Sequence, residues 1–344
     1  MIINAKKDFD KWQKLINFFK NINLFDIYYD YNFNLLHLSE NNDLIAFYHK
    51  RGKSQFFFPF IICKIDFLDG YYDIETINGY SGPLSNDYSD KFLKECWSNF
   101  YKEIKNLNVI CGLIRFHPFL KNHLINKENN FISTQNVKKT LFINYNEDYK
   151  LNYSKNINRN LIKSSKYKLE IIKENNESNF KTFYEIYNES MNRKDADKRF
   201  FFKKDYFTNL LKKLNDNVTL ILAKKDTICV GGIIGIRSKN FSHVHLSAFK
   251  EVGLKYGAPY LLRYELIEHF SNISNLIHFG GGNTNAKDDS LFLFKKNFTN
   301  KVLDFFIGKI LIDKDKYELV IEKWINTYPK KKIIYNTLFM KYKY

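Results

Sequence analysis

The 344-residue sequence predicts an α/β protein with mixed sheets, divided into two domains of one type. Its length suits two domains of about 170 residues each. Apolar residues make up 44% of the chain and aromatic residues 17%, which suffices for two packed cores. Each half also repeats one order, in which helices are followed by several adjacent strands and then by another helix and strand.

In the first half, an amphipathic pattern predicts a helix over 8–20. Runs of β-branched and aromatic residues predict strands over 44–48, 56–63 and 71–77. The loop GYSGPL, a helix over 88–104 and a strand over 109–116 follow. In the second half, helices are predicted over 157–165, 179–191 and 204–214, the second from the spacing of Phe180, Phe183, Tyr184 and Tyr187. Strands over 219–223, 228–236 and 241–249 come next, then a helix over 259–270, a strand over 276–279, a helix over 289–297 and a strand over 302–312. The strand KKTLFINY gives way to the polar NEDYKLNYSKN, which sets the expected domains at 1–146 and 147–344. The second would hold the reaction centre and end in a basic tail.

A net charge of +17 favours anionic partners, whether phosphates, nucleic acid or an acidic membrane surface. The abundance of Lys, Asn, Ile, Phe and Tyr also fits an A/T-rich coding bias, which accounts for part of that excess. The longest apolar run, FFFPFIIC, is broken by Pro59 and falls far short of the roughly 20 residues of a spanning helix. The start has no signal-peptide pattern. Cys63, Cys96, Cys111 and Cys229 are scattered, without the spacing of a zinc site or a disulfide framework. The expectation is a cytoplasmic protein without a metal, with a peripheral place at the inner membrane face if the tail KKKIIYNTLFMKYKY binds anionic lipid.

Four stretches carry possible chemistry. In LIHFGGGNTNAKDDSLFLFKKNF, Gly280, Gly281 and Gly282 let the backbone approach a ligand closely, and a helix follows with Asp288 or Asn285 able to cap it. At 100° per residue, Leu291, Phe294, Lys295 and Phe298 share one face, so Lys295 belongs to the apolar side. Its ammonium either snorkels to the core's edge or reaches an anionic group in a cleft. In YSKNINRNLIKSSKYKLEI, Lys155, Arg159, Lys163 and Lys166 line one helix face, as a solvated stripe or a diphosphate site. In FSHVHLSAF, His243 and His245 emerge on the same face of a strand, suited to moving protons or simply packed. Arg115 and His117 sit where a strand leaves a sheet, a usual place for ligand contacts. Walker, H-E-x-x-H, G-x-S-x-G and G-x-G-x-x-G motifs are absent, which weakens phosphoryl, zinc-protease, serine-esterase and hydride chemistry.

Together HVHLSAF, YGAPYLL, LIHFGGG, DSLFLFKKNF and DFFIGKILI, with GYSGPL, RFHPFL and SKNINRNLIKSSK, resemble the Fem-like acyltransferases, the group of the peptidoglycan interpeptide-bridge aminoacyltransferases. The likeness spans residues 26–312. It implies two tandem GNAT-like domains and transfer of an acyl, acetyl or aminoacyl group to an amine. The acceptor it implies is a phosphate-bearing cell-envelope precursor, such as a nucleotide-linked amino sugar or a lipid-linked glycan. It places Phe294 and Lys295 at the reacting centre and Arg159 on precursor phosphates; the attacking amine must also lose a proton, for which His243, His245 or a water-linked carboxylate could serve. The donor stays open between acyl-CoA and aminoacyl-tRNA. KEVGLKYGA matches the coenzyme A loop poorly, and no heptad run forms the helical hairpin that some members present to tRNA. Other readings are an aminoacyl-tRNA-dependent bridge transferase and a non-catalytic binder of nucleic acid or membrane.

Overall fold

The computed structural model describes residues 1–126 and 129–344. The chain forms two compact units, residues 1–138 with 304–344, and residues 139–303. The first unit opens with β1 (Ile2–Asn4), α1 (Phe9–Asn21), α2 (Tyr31–Leu35), β2 (Asp43–Arg51), β3 (Ser54–Lys64) and β4 (Tyr72–Glu75). It continues through the short β5 (Leu84–Ser85), α3 (Asp90–Asn106) and β6 (Val109–Arg115), and the chain then leaves along β7 (Ile132–Asn144).

Helix α1 forms because Trp12, Leu15, Ile16 and Phe19 recur every three or four residues and bury one face. The run FFFPFIIC lies in β3, which is covered on both faces. Phe56, Phe58 and Phe60 pack with Phe92, Trp97 and Phe100 of α3, while Phe57, Ile61 and Cys63 pack with the α1 residues. Pro59 falls in the interval between the part of β3 paired to β5 and the part paired to β4.

The second unit holds α4 (Lys155–Lys166), β8 (Glu170–Ile172), α5 (Glu177–Arg193), α6 (Lys204–Leu214), β9 (Val218–Lys225), β10 (Ile228–Arg237) and β11 (Phe241–Phe249). After these come α7 (Glu251–Lys255), α8 (Ala258–Ser271), β12 (Leu276–Gly280), α9 (Ser290–Lys296) and the start of β13 (Val302–Leu311). Apart from the short β5 and α7, the sequence of strand, two helices, three strands, helix, strand thus occurs twice, as β1 to β6 and as β8 to β12. In the first unit the strand order is β1-β2-β3-β4-β6-β13, and in the second β8-β9-β10-β11-β12-β7. Neighbours are antiparallel except β4 with β6 and β11 with β12, which are parallel at matching places in the repeat. The fold is therefore mixed α/β, as expected, with one strand arrangement used twice.

The units do not follow a single cut at 146/147. Residues 141–144 of β7 pair with β12, and residues 307–311 of β13 pair with β6, so each sheet is extended by a strand from the other half of the chain. The basic tail consequently belongs to the first unit. There α10 (Lys314–Thr327) buries Val320 and Trp324 against Ile65, Ile110, Cys111, Met340 and Tyr342. Lys343 Nζ donates to Asp73 at 2.9 Å and to Glu75 at 2.6 Å. Between these anchors α11 (Pro329–Tyr335) stays at the surface. Among the described residues, no helix is long and apolar enough to cross a membrane.

Candidate active site

The second unit gathers the glycine turn and the inward lysine. Strand β12 ends at Gly280, which adopts a left-handed φ of 68° that a side chain would penalise. Gly281 is buried, and its carbonyl accepts a 2.6 Å hydrogen bond from Lys295 Nζ. A Cβ on Gly282 would stand 2.4 Å from Asp289 Oδ1. The three glycines thus serve a backbone reversal, an approach by Lys295 and an approach by Asp289.

Asp289, rather than Asp288 or Asn285, caps α9, accepting from Phe292 N at 2.8 Å. Its other oxygen accepts from Thr284 N at 2.8 Å and Thr284 Oγ1 at 3.1 Å, which folds the loop onto the helix start. The Phe292 amide, together with the Thr284 donors, holds its carboxyl below the ordinary carboxylate range.

Lys295 is 7% exposed and does not snorkel. A hydrogen bond from a charged donor in such a place contributes about 1.5–3 kcal/mol. Phe294 beside it stands edge-on to Tyr260 of α8, with ring centres 4.9 Å apart.

The basic helix begins where α9 ends. Ser154 N and Oγ bond Asn297 O and Oδ1 at 2.8 and 2.6 Å, and Asn156 Nδ2 donates to the same Oδ1 at 3.0 Å. Lys155, Arg159, Lys163 and Lys166 are all exposed on α4, while Ile157 and Ser164 turn inward. Burial raises the Tyr260 phenol, and the nearby Arg159 charge draws it back. Arg159 is therefore close to the Tyr260 ring that touches Phe294.

Strands β11 and β12 bring three histidines to one face. His243 is in register with His278, and their rings lie 5.7 Å apart. Val244, Ile277 and Phe279 point to the opposite face, into the α8 core. His245 Nε2 lies 2.6 Å from Tyr206 Oη of α6. Burial raises the pKa of that phenol, which stays neutral.

Two expected positions prove to be tied up in the first unit. Arg115 donates to Thr76 O at 2.7 Å and to Glu75 at 3.1 Å, which commits its guanidinium to the sheet edge. His117 lies 2.7 Å from Asp26 and accepts from Leu120 N at 3.1 Å.

Sequence reasoning passed over His278, Tyr206, Asp289 and Arg263. The first two have partners distant in the chain and leave no local signal. Arg263 left one, a lone cation on the apolar face formed by Leu262, Leu266, Ile267 and Phe270. It is 2% exposed, and its carbon Cζ lies 5.2 Å from the Phe279 ring centre and 5.4 Å from that of Phe294. Each ring face offsets the buried charge by roughly 2 kcal/mol. Each buried donor left without an acceptor costs about 1–3 kcal/mol.

The second unit thus combines one parallel strand pair, a glycine turn after the second of those strands and a buried lysine bonded to that turn. Residues 152–288 match the family described as acetyltransferase (GNAT) domain. Among solved structures, FemX shares the fold with a TM-score of 0.63 at 13% identity, covering 81% of this chain and 90% of that one. The C-terminal domain of a putative lysylphosphatidylglycerol synthetase from Agrobacterium fabrum aligns with a TM-score of 0.55 at 11% identity, covering 86% and 91%. L-PGS from Bacillus licheniformis aligns at 0.51 with 8% identity, covering 81% and 88%. No curated protein matches in sequence.

Proposed function

We propose that the chain N-acylates the amino group of a phosphate-bearing cell-envelope precursor, with an acyl or aminoacyl group as cargo. The observation that carries this reading is Lys295, buried against the glycine turn and joined through Asn297 to the basic helix α4. The amine's lone pair attacks the donor carbonyl carbon, and the carbonyl π electrons move to oxygen. The Lys295 ammonium stabilises that oxyanion. His243 or His245 accepts the amine proton, and collapse of the intermediate forms the amide and expels the donor's thiolate or ribose oxygen. The Arg159 stripe supplies cations for the acceptor's phosphates. A neighbour's name, lysylphosphatidylglycerol synthetase, also pairs an aminoacyl group with a phosphate-bearing acceptor.

The test is Lys295→Met, assayed with acetyl-CoA and with aminoacyl-tRNA against nucleotide-linked amino sugars and lipid-linked precursors. Loss of one oxyanion donor lowers kcat by roughly 10²–10³. Near wild-type turnover would remove Lys295 from the mechanism.

The exposed helix α11 favours a further contact. Ile333 and Ile334 are 85% and 70% exposed and follow Lys330, Lys331 and Lys332. Adjacent apolar and cationic groups of this kind suit the headgroup region of an anionic membrane, where a lipid-linked acceptor would reside.

A further inference from the structure

Arg263 is a buried cation that the proposed mechanism does not use. Arginine is rarely this buried without a carboxylate partner. Among the described residues, Nε and Nη1 have no hydrogen-bond partner. Phe279 and Phe294 hold the cation between them, yet ring faces accept no ordinary N–H hydrogen bond, so the compensation is of charge and not of donors.

The place of these two rings in the chain matters as much as their chemistry. Phe279 immediately precedes the left-handed Gly280, and Phe294 immediately precedes Lys295. The guanidinium therefore packs on the two rings that precede the glycine turn and Lys295 in the chain. Burial lowers the guanidinium to about 10, so it remains charged at neutral pH.

We propose that Arg263 is an anion-binding residue of the second unit, which takes an oxygen of a carboxylate or phosphate group on its unpaired donors. Its role differs from that of the exposed Arg159 stripe. A buried arginine read in this way discriminates by desolvation: it rewards an oxyanion small enough to enter the Phe279–Phe294 frame and rejects a neutral group, which would leave the charge unmatched. The site does not depend on the identity of the transferred group, nor on turnover.

The test uses the full chain labelled with ¹⁵N-arginine, whose sequence contains only seven arginines. Arg263→Lys identifies the Arg263 Nε–H resonance by its disappearance. Pyrophosphate, acetate and chloride are then titrated at constant ionic strength. A saturable shift of that resonance with pyrophosphate assigns a phosphate site, one with acetate assigns a carboxylate site, and chloride is expected to do neither. Calorimetry with the anion that shifts it should show affinity at least tenfold weaker in Arg263→Lys and absent in Arg263→Met. Should the Arg263 resonance stay still while that of Arg159 moves, or follow chloride as strongly as the oxyanions, the proposal is overturned and the arginine serves packing alone. Because binding is read directly, a protein that binds the anion but transfers no acyl group would refute the proposed function and leave this site standing.

Discussion

Lys295 Nζ reaches back across one helical turn and a loop to the carbonyl of Gly281, 2.6 Å away, so the helix that carries the ammonium also holds the turn before it. Asp289 closes the same loop from the other end through Thr284. Turn and lysine are one unit, and a defect in either should be felt by both.

Gly282→Ala tests that coupling. Its Cβ would stand 2.4 Å from Asp289 Oδ1, so the carboxylate must move and release Thr284. Overpacking of this kind costs about 1–3 kcal/mol. Denaturant unfolding should register that loss, and acyl transfer should fall by a larger factor than Asp289→Asn produces. Unchanged stability and turnover would mean the loop adapts without Asp289.

Arg159→Ala should weaken a nucleotide-linked amino sugar by about tenfold or more, since a charge-assisted bond to phosphate is worth about 1.5–3 kcal/mol. Arg159→Lys should recover part of this, keeping the charge without the planar fork. Calorimetric titration of the sugar with and without its phosphates decides the matter. An equal loss for both ligands would leave α4 as a solvated face.

For α11, sedimentation with anionic and neutral vesicles provides the measurement. Each lysine near the surface contributes on the order of 1 kcal/mol, so Lys330→Gln with Lys332→Gln should reduce pelleting with anionic vesicles and make it less salt-dependent. Ile333→Asp should abolish it. Point substitution is preferable to truncation, because Met340 and Tyr342 beyond the helix are buried in the first unit's core. Equal pelleting with neutral vesicles would rule out an electrostatic contact.

His37 sets an acid limit on the first unit. Burial lowers its pKa from 6.5 to about 4. Between those values the unfolded chain binds the extra proton, so stability rises with pH across the window and is lost as pH falls from 6.5 towards 4. The loss amounts to at most roughly 3 kcal/mol. Urea unfolding at neutral and acid pH should show it, and His37→Phe, whose ring would rest on Phe33 as the imidazole does, should flatten the profile. An unaltered slope in that variant would assign the acid limb to other groups.

Local pattern determined much of this protein. Helical spacing placed Lys295 on the inward face of α9, because side-chain direction follows directly from backbone period. The repeated order of helices and strands was legible for the same reason. Other features depend on contacts between distant segments, which no local period encodes. The pairing of β13 with β6 and of β7 with β12 moved the domain limits and carried the basic tail into the first unit. The register of β11 on β12 set His278 beside His243, and packing of α8 beneath the turn buried Arg263 between two phenylalanines. A cation's burial and the atoms left to satisfy its donors are properties of packed surfaces, and so only the tertiary structure decided them.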